Sequence, residues 1–276
     1  MNGFEQQWQR RFEKFATRHQ RDHLVSGWSL AGLRQRIATF ERLLDQGLLP
    51  SGSGVLDLGC GAGTYVRLLA KRGHPVVGLD YSLPSLSRAK AADPALADRY
   101  VAGSAYTLPF AGESFDGVVC IGVLQALEQV PLALAEIARV LGPRGVAIVE
   151  TLNPWSPVAA VRRLSSFVNR QPSRLRYAAP GMVERVMVAR GIRPLKRLGI
   201  LLPPRSLPRL EDVMGRAWLG SLLATLPGVR SVAPHAYLYC SAPRRKSKTF
   251  APARIACSMA CATMIVPMLS FSSSGS

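Results

Sequence analysis

Acidic residues are scarce in this 276-residue chain. There are 17 Asp and Glu against 35 Lys and Arg, a formal net charge of +18. The shortage is local. Residues 51–150 are nearly balanced, with 8 basic and 9 acidic side chains, whereas residues 151–250 carry 18 basic and only 3 acidic ones. Cysteines number five (Cys60, Cys120, Cys240, Cys257 and Cys261), an odd count with no C-x-x-C pair. That argues against a disulfide framework and a zinc site, and for a reducing compartment. Aromatics make up only 7% of the residues, too few among the arginines for the base-stacking platforms of a typical RNA binder. Long apolar runs are missing too. The longest, Ile255–Phe271, is broken by Ser, Thr and Pro267 and falls short of the roughly 20 residues a spanning helix needs. The N-terminal MNGFEQQWQR has no apolar core of a signal peptide, so a cytoplasmic location is expected, with peripheral membrane contact through the basic segments as an option.

With 48% hydrophobic and 19% charged residues, the composition is that of a globular protein large enough to bury a sizeable core. Phe4, Trp8, Phe12, Phe15 and His19 recur at steps of three and four, which predicts an amphipathic helix that packs against or lids a core. Ser29 can cap a second helix, Leu30 to Gln46, stopped by Gly47. From residue 54 the pattern becomes alternating strand and helix. Strands are expected at Val55–Leu58, Pro75–Asp80, Arg99–Ala102, Phe115–Ile121 and Val146–Thr151, with helices over 64–72, Ser82 to Ala92 and 131–141. The last of these is stopped by Gly142-Pro143-Arg144-Gly145. Uninterrupted apolar strands between helices imply a parallel sheet covered on both faces. Residues 152–180, rich in Pro, Arg and Ser, break the rhythm. A helix from Pro180 to Arg190, a strand over Pro194–Ile200, a helix over 209–226 and a strand over Ala236–Ser241 follow. The expected organisation is a helical cap (1–50), a core (51–152), basic cap segments with the last strands (153–242), and a basic then apolar tail (243–276).

The segment VLDLGCGAGTY, residues 55–65, ends an apolar strand in a carboxylate region and then places Gly59, Gly61 and Gly63 one residue apart. Glycines there permit a tight turn and close approach of a ligand to the backbone. The following helix presents free N–H groups to it. A dinucleotide fingerprint needs G-x-G-x-x-G, but the third position falls on Thr64 or Val66. A phosphate-binding loop fails as well, because no Gly-Lys-Ser/Thr follows.

Taken in order, VLDLGCGAGTY, VVGLDYS (76–82), AGSAYTLPF (102–110), FDGVVCIGVLQAL (115–127) and ARVLGPRGVAIVE (138–150) resemble the class I S-adenosylmethionine-dependent methyltransferases. The likeness is strongest to the small-molecule branch related to quinone C-methylases, with its type 11 methyltransferase domain. That resemblance implies an α/β fold: a Rossmann-like, doubly wound sheet of about seven strands, the last antiparallel, with helices on both faces and a basic cap. It implies S-adenosyl-L-methionine as cofactor. Gly59, Gly61 and Gly63 would cradle its amino-acid part, Asp57 would orient the turn and the ammonium, and Asp80 would take both ribose hydroxyls. Tyr81 would pack on the adenine and Ser104 and Ala105 would meet its edge. Cys120 or Ile121 would offer a backbone carbonyl. The sequence departs from the family's pattern at Ser104, where an acid is common, and near Gln125 and Ala126, where the quinone branch often has histidine.

No catalytic residue is assigned by this reading; Glu150, His235 and Tyr177 are candidate bases. Asn153-Pro154-Trp155 resembles the N/D-P-P-Y/F signature of nitrogen-methylating enzymes but follows the fifth strand, not the fourth, and reads as a turn. The expected reaction is methyl transfer to oxygen or carbon of a small-molecule or lipid-linked, acidic acceptor. An RNA methyltransferase or a non-catalytic cofactor-binding scaffold are the alternatives, and nucleic acid is disfavoured as a partner. The +15 segment fits an acidic acceptor or an anionic membrane surface, and equally a solvated basic surface with no partner.

Overall fold

The computed structural model describes residues 3–19, 21–170, 175–200, 234 and 236–243. The expected helix over 209–226, His235 and the basic and apolar tail lie outside the described residues.

Three helices precede the sheet: α1 (Gly3–Arg18), α2 (Asp22–Val25) and α3 (Leu30–Asp45). Ser29 caps α3 as its sequence predicts, accepting a hydrogen bond from the Gly32 amide at 3.1 Å. Strands and helices then alternate through β1 (Val55–Leu58), α4 (Thr64–Lys71), β2 (Val76–Asp80), α5 (Leu83–Ala92), β3 (Tyr100–Ala102), β4 (Phe115–Cys120), α6 (Val130–Val140) and β5 (Leu141–Leu152). After β5 come α7 (Pro157–Val168), α8 (Pro180–Ala189), β6 (Ile192–Ile200) and β7 (Ala236–Pro243).

The seven strands lie in the order β3-β2-β1-β4-β5-β7-β6. The first five are mutually parallel, and β7 runs antiparallel to both β5 and β6. Strand order reverses between β1 and β4, and in such sheets ligands bind beyond the carboxyl ends at that point.

Alternation along the strands builds two cores. Val55, Val119 and Ile148 join Phe40, Leu43, Tyr65 and Leu69 on one face. Leu56, Leu58, Val118 and Val149 join Leu134, Ile137 and Met187 on the other. Because side chains alternate with period two, Asp57 and Glu150 share the face of the first cluster, under α3 and α4.

Two stretches differ from the sequence expectation. The Gly142–Gly145 turn is absorbed into β5, which starts at Leu141 opposite Phe115; a register shift between Phe115 and Gly117 takes up the irregularity. Within the supposed break after residue 152 stands α7, with Pro157 in its first turn and Ser156 accepting from the Ala159 amide at 3.1 Å. Asn153 to Trp155 form the expected turn, in which the Trp155 amide donates to Asn153 Oδ1 at 3.0 Å.

Candidate functional site

The turn after β1 is made by backbone that only glycine adopts cheaply. Gly59, Gly61 and Gly63 have φ of 76°, 53° and 80°. A Cβ on Gly59 would lie 2.2 Å from Val123 Cγ2 and one on Gly63 2.2 Å from the Tyr100 hydroxyl, whereas one on Gly61 would meet nothing within 4 Å. Two of the three glycines therefore serve packing, and the middle one leaves an open cradle.

Asp80, at the carboxyl end of β2, fastens this cradle. It accepts the Gly61 amide on Oδ2 at 2.9 Å and the Ser82 amide on Oδ1 at 2.8 Å. Burial raises its pKa, and those amides act against the rise. Asp57 has less support, a single backbone hydrogen bond at Val66 acting against the rise of its pKa. It is 2% exposed and its Oδ2 has no hydrogen-bond partner. Burial first, then the charge of Asp80, push its pKa from 3.8 to about 8. A proton shared near this pair resides on Asp57, because Asp80 is the carboxylate that two N–H groups solvate.

A cleft of about 230 Å³ opens above the turn. Of the residues singled out in the sequence, Gly59, Gly61, Asp80, Tyr81, Ser104, Ala105 and Ile121 line it. Asp57, Gly63 and Cys120 stand behind the lining. The Ser104 hydroxyl accepts from the Tyr106 amide at 3.2 Å, so it shapes a turn as well as facing the cleft.

The rest of the wall comes from residues the sequence left unassigned. Helix α1 roofs the cleft with Glu5, Trp8, Gln9 and Phe12, and Trp28 and Val25 close one side. Trp8 stacks on Phe12 with centroids 5.1 Å apart, and Phe12 meets Tyr81 edge-on at 6.5 Å. The roof is latched: the Tyr106 hydroxyl donates to Glu5 Oε1, which also accepts the Glu128 amide at 3.0 Å. The three-and-four spacing of aromatics signals this helix, but nothing in it says that its apolar face looks onto a ligand rather than a core. Gly122, φ 80°, lets Trp28 approach; a Cβ there would lie 2.2 Å from the indole.

The candidate bases fare differently. Glu150 is fully buried and bound to Arg36, Nε to Oε1 at 2.9 Å, while that guanidinium lies 4.4 Å over the Trp28 ring and donates to Gly32 O. The Tyr177 hydroxyl accepts from Arg162 at 3.3 Å and does not line the cleft. His235 is outside the described residues. The phenols of Tyr65 and Tyr81 are raised well above their ordinary value, by burial first, so they stay protonated hydrogen-bond donors.

The fit to S-adenosylmethionine rests on Asp57 and Gly61. A buried carboxyl with one oxygen unpartnered suits a cation nearby, and the open space at Gly61, beside the N-terminus of α4, gives room for a polar group.

Comparison with known proteins bears on the family and the fold. Residues 56–149 match the family described as Methyltransferase domain. The chain is 29% identical over 212 residues to the malonyl-[acyl-carrier protein] O-methyltransferase of Erwinia pyrifoliae, covering 67% of this chain and 80% of that protein. It is 38% identical over 112 residues to the demethylmenaquinone methyltransferase of Beutenbergia cavernae, covering 40% and 46%. The chain spans about half or less of the length of most of the curated relatives it matches. Among solved structures, the S-adenosylmethionine-dependent methyltransferase of Mesorhizobium loti shares the fold, with a TM-score of 0.53 at 20% identity over 75% of this chain and 98% of that one. Motif order, sheet topology and the match over residues 56–149 converge: that stretch is a methyltransferase domain set in the seven-stranded sheet.

Proposed function

We propose that this protein transfers a methyl group from S-adenosyl-L-methionine to an oxygen or carbon of a small-molecule or lipid-linked acceptor with a flat apolar portion, and that it works in the cytoplasm. The observation that carries the proposal is the pairing, in one cleft, of a polar floor with an aromatic roof. The floor is Gly61 and Asp80, with the buried carboxyl of Asp57 behind them; the roof is Trp8, Phe12 and Trp28. In this reading the basic charge of residues 153–242 steers an acidic acceptor toward the protein.

The cofactor's sulfonium supplies an electrophilic methyl group. The chain's own task is to hold and orient. Asp57 takes the ammonium, Gly59, Gly61 and Gly63 give the backbone room, and Asp80 holds the ribose hydroxyls through the lone pairs that Gly61 and Ser82 leave free. Tyr81, Ser104 and Ala105 border the adenine, and Cys120 or Ile121 offers a carbonyl. On the acceptor side, Trp8 Nε1 and the Tyr65 hydroxyl are buried cleft-lining donors without partners, suited to fix an acceptor oxygen. Helix α1 excludes water. Alignment of this kind is worth effective molarities of roughly 10⁵–10⁸ M, whereas a general base adds roughly 10²–10⁴-fold. Orientation therefore suffices for an acceptor that ionises readily, which the related quinone and malonyl enzymes named above make chemically reasonable.

The test is methyl transfer from labelled S-adenosylmethionine into a host extract separated into lipid, small-molecule, protein and RNA fractions. Label in the lipid or small-molecule fraction is the expected result. Label in RNA overturns the acceptor class. No label together with no calorimetric cofactor binding overturns the whole reading.

A further inference from the structure

Helix α7 is built inside out. Ala159 is its only buried residue among those described, and the partly buried Val158, Arg162 and Ser166 flank that inward stripe. On the opposite side, Val161, Leu164, Phe167 and Val168 repeat at steps of three and four and are 62–82% exposed. At 100° per residue these four span about 120° of the helix surface, directly away from the body. Trp155, 55% exposed, stands in the turn that launches the helix. Large apolar side chains clustered this way mark a docking surface.

The turn is firmly set. The buried Asn153 donates to Pro234 O at 2.8 Å, and the Ser156 hydroxyl donates to Asn153 O at 3.0 Å. The turn that launches α7 is thus tied by hydrogen bonds to the body of the sheet.

Charge says what covers the stripe. From residue 151 to residue 183 the sequence holds five arginines and no carboxylate. Arg163 and Arg170 are exposed; Arg163, which also reaches Pro154 O, borders the stripe on the side of Phe167, and Arg170 follows two residues after the helix ends. An apolar face edged by arginine, with tryptophan at its rim, has the composition of a helix lying in the plane of a lipid interface. A helix of this shape seats its apolar side chains in the acyl region and its arginines among anionic headgroups. The fold also gives the position a use. Helix α7 begins beyond the carboxyl end of β5, the same end of the sheet at which β1, β2 and β4 open onto the cleft.

We infer that α7 is an interfacial helix, and that its Val161, Leu164, Phe167 and Val168 insert into an anionic phospholipid bilayer so that a lipid-linked acceptor meets the cleft at the membrane surface. The second clause rests on the proposed function; the first does not. No helix among the described residues is long and apolar enough to cross a membrane, which leaves α7 a surface contact.

The experiment is co-sedimentation of the full chain with vesicles of 30% phosphatidylglycerol in phosphatidylcholine, and with pure phosphatidylcholine. Binding to the anionic vesicles alone is expected. The double substitution L164S/F167S is expected to weaken it about 100-fold, roughly tenfold for each apolar side chain kept out of the interface, and R170Q about fivefold. In the absence of vesicles L164S/F167S is expected to keep the melting temperature, sedimentation coefficient and cofactor affinity of the parent. Equal vesicle binding by parent and variant overturns the assignment. So does a fall in melting temperature or a change in sedimentation without lipid, which would mean that another part of the chain or a second copy covers the stripe. A chain that binds vesicles through α7 but fails to bind cofactor refutes the proposed function and leaves the interfacial helix standing.

Discussion

Asp57 offers the sharpest test of the cofactor site, because its ionisation is tied to occupancy. Buried, unpartnered at Oδ2 and facing the field of Asp80, it titrates near pH 8 instead of 3.8. At pH 7 a carboxyl with that pKa is about nine-tenths protonated. An ammonium group settling beside it requires the carboxylate, so cofactor binding at pH 7 is expected to release about 0.9 proton, and affinity is expected to fall about tenfold per unit as pH drops from 7 to 6. Folding responds with the opposite sign. Between pH 3.8 and about 8 the cofactor-free folded chain holds a proton that the unfolded chain has lost. Its stability therefore declines as pH rises through that window, by at most about 6 kcal/mol at 1.36 kcal/mol per unit. Asp57→Asn removes both dependences. It is expected to abolish the proton release, to make the cofactor-free protein more stable at pH 8, and to lower cofactor affinity there. Calorimetry at pH 7 in two buffers of different ionisation enthalpy counts the proton, and urea unfolding at pH 5 and pH 8 reads the stability. A titration with no proton released, and a Kd flat from pH 6 to 8, would refute the assignment of Asp57 to the ammonium.

Asp80→Ala removes the acceptor of the Gly61 and Ser82 amides as well as the ribose contact, and is expected to weaken cofactor binding roughly 10²–10⁴-fold by titration, as for one or two charge-assisted hydrogen bonds. The glycines separate by role. Gly61→Ala meets only the left-handed backbone penalty, about 1–2 kcal/mol, yet should abolish cofactor binding, while Gly59→Ala adds the collision with Val123 and is expected to cost more in unfolding free energy. Arg36→Met strands the fully buried Glu150 carboxylate and is expected to cost about 3–5 kcal/mol by urea denaturation, with much of that recovered in Arg36→Met/Glu150→Gln. Trp8→Phe keeps the stacking on Phe12 and loses the indole N–H. It is expected to raise the acceptor KM with little change in cofactor Kd, and the reverse pattern would place Trp8 on the cofactor side.

Much of this was legible in the sequence, for physical reasons that also explain the rest. The parallel strands β1, β2 and β4 announce themselves because each is a short apolar run closed by a glycine turn or a helix cap. The spacing of Gly59, Gly61 and Gly63 distinguishes this turn from other nucleotide-binding loops. The start of β5 was hidden because Gly142-Pro143-Arg144-Gly145 carries every local signal of a turn, and only pairing with β4 holds it extended. Helix α7 was hidden because a run of arginine, serine and valine reads as a break unless its apolar side is allowed to face outward. The roof of the site escaped for a third reason. Periodicity locates the aromatic face of α1, but the contact of Tyr106 with Glu5 joins residues 101 positions apart, and no local pattern encodes that.

The place of β7 in the sheet has a consequence for how the protein is made. Five strands are in hand once residue 152 has left the ribosome, and they present β5 as a bare edge. Its partner β7 arrives more than 80 residues later and must lodge between β5 and the already synthesised β6. At about 5–20 residues per second this leaves β5 open for roughly 4–17 s. During that interval the nascent chain carries an unpaired, apolar strand edge that can zip onto any extended segment nearby. Slower synthesis over residues 153–243 is therefore expected to lower the yield of folded protein by lengthening the time that edge stays open.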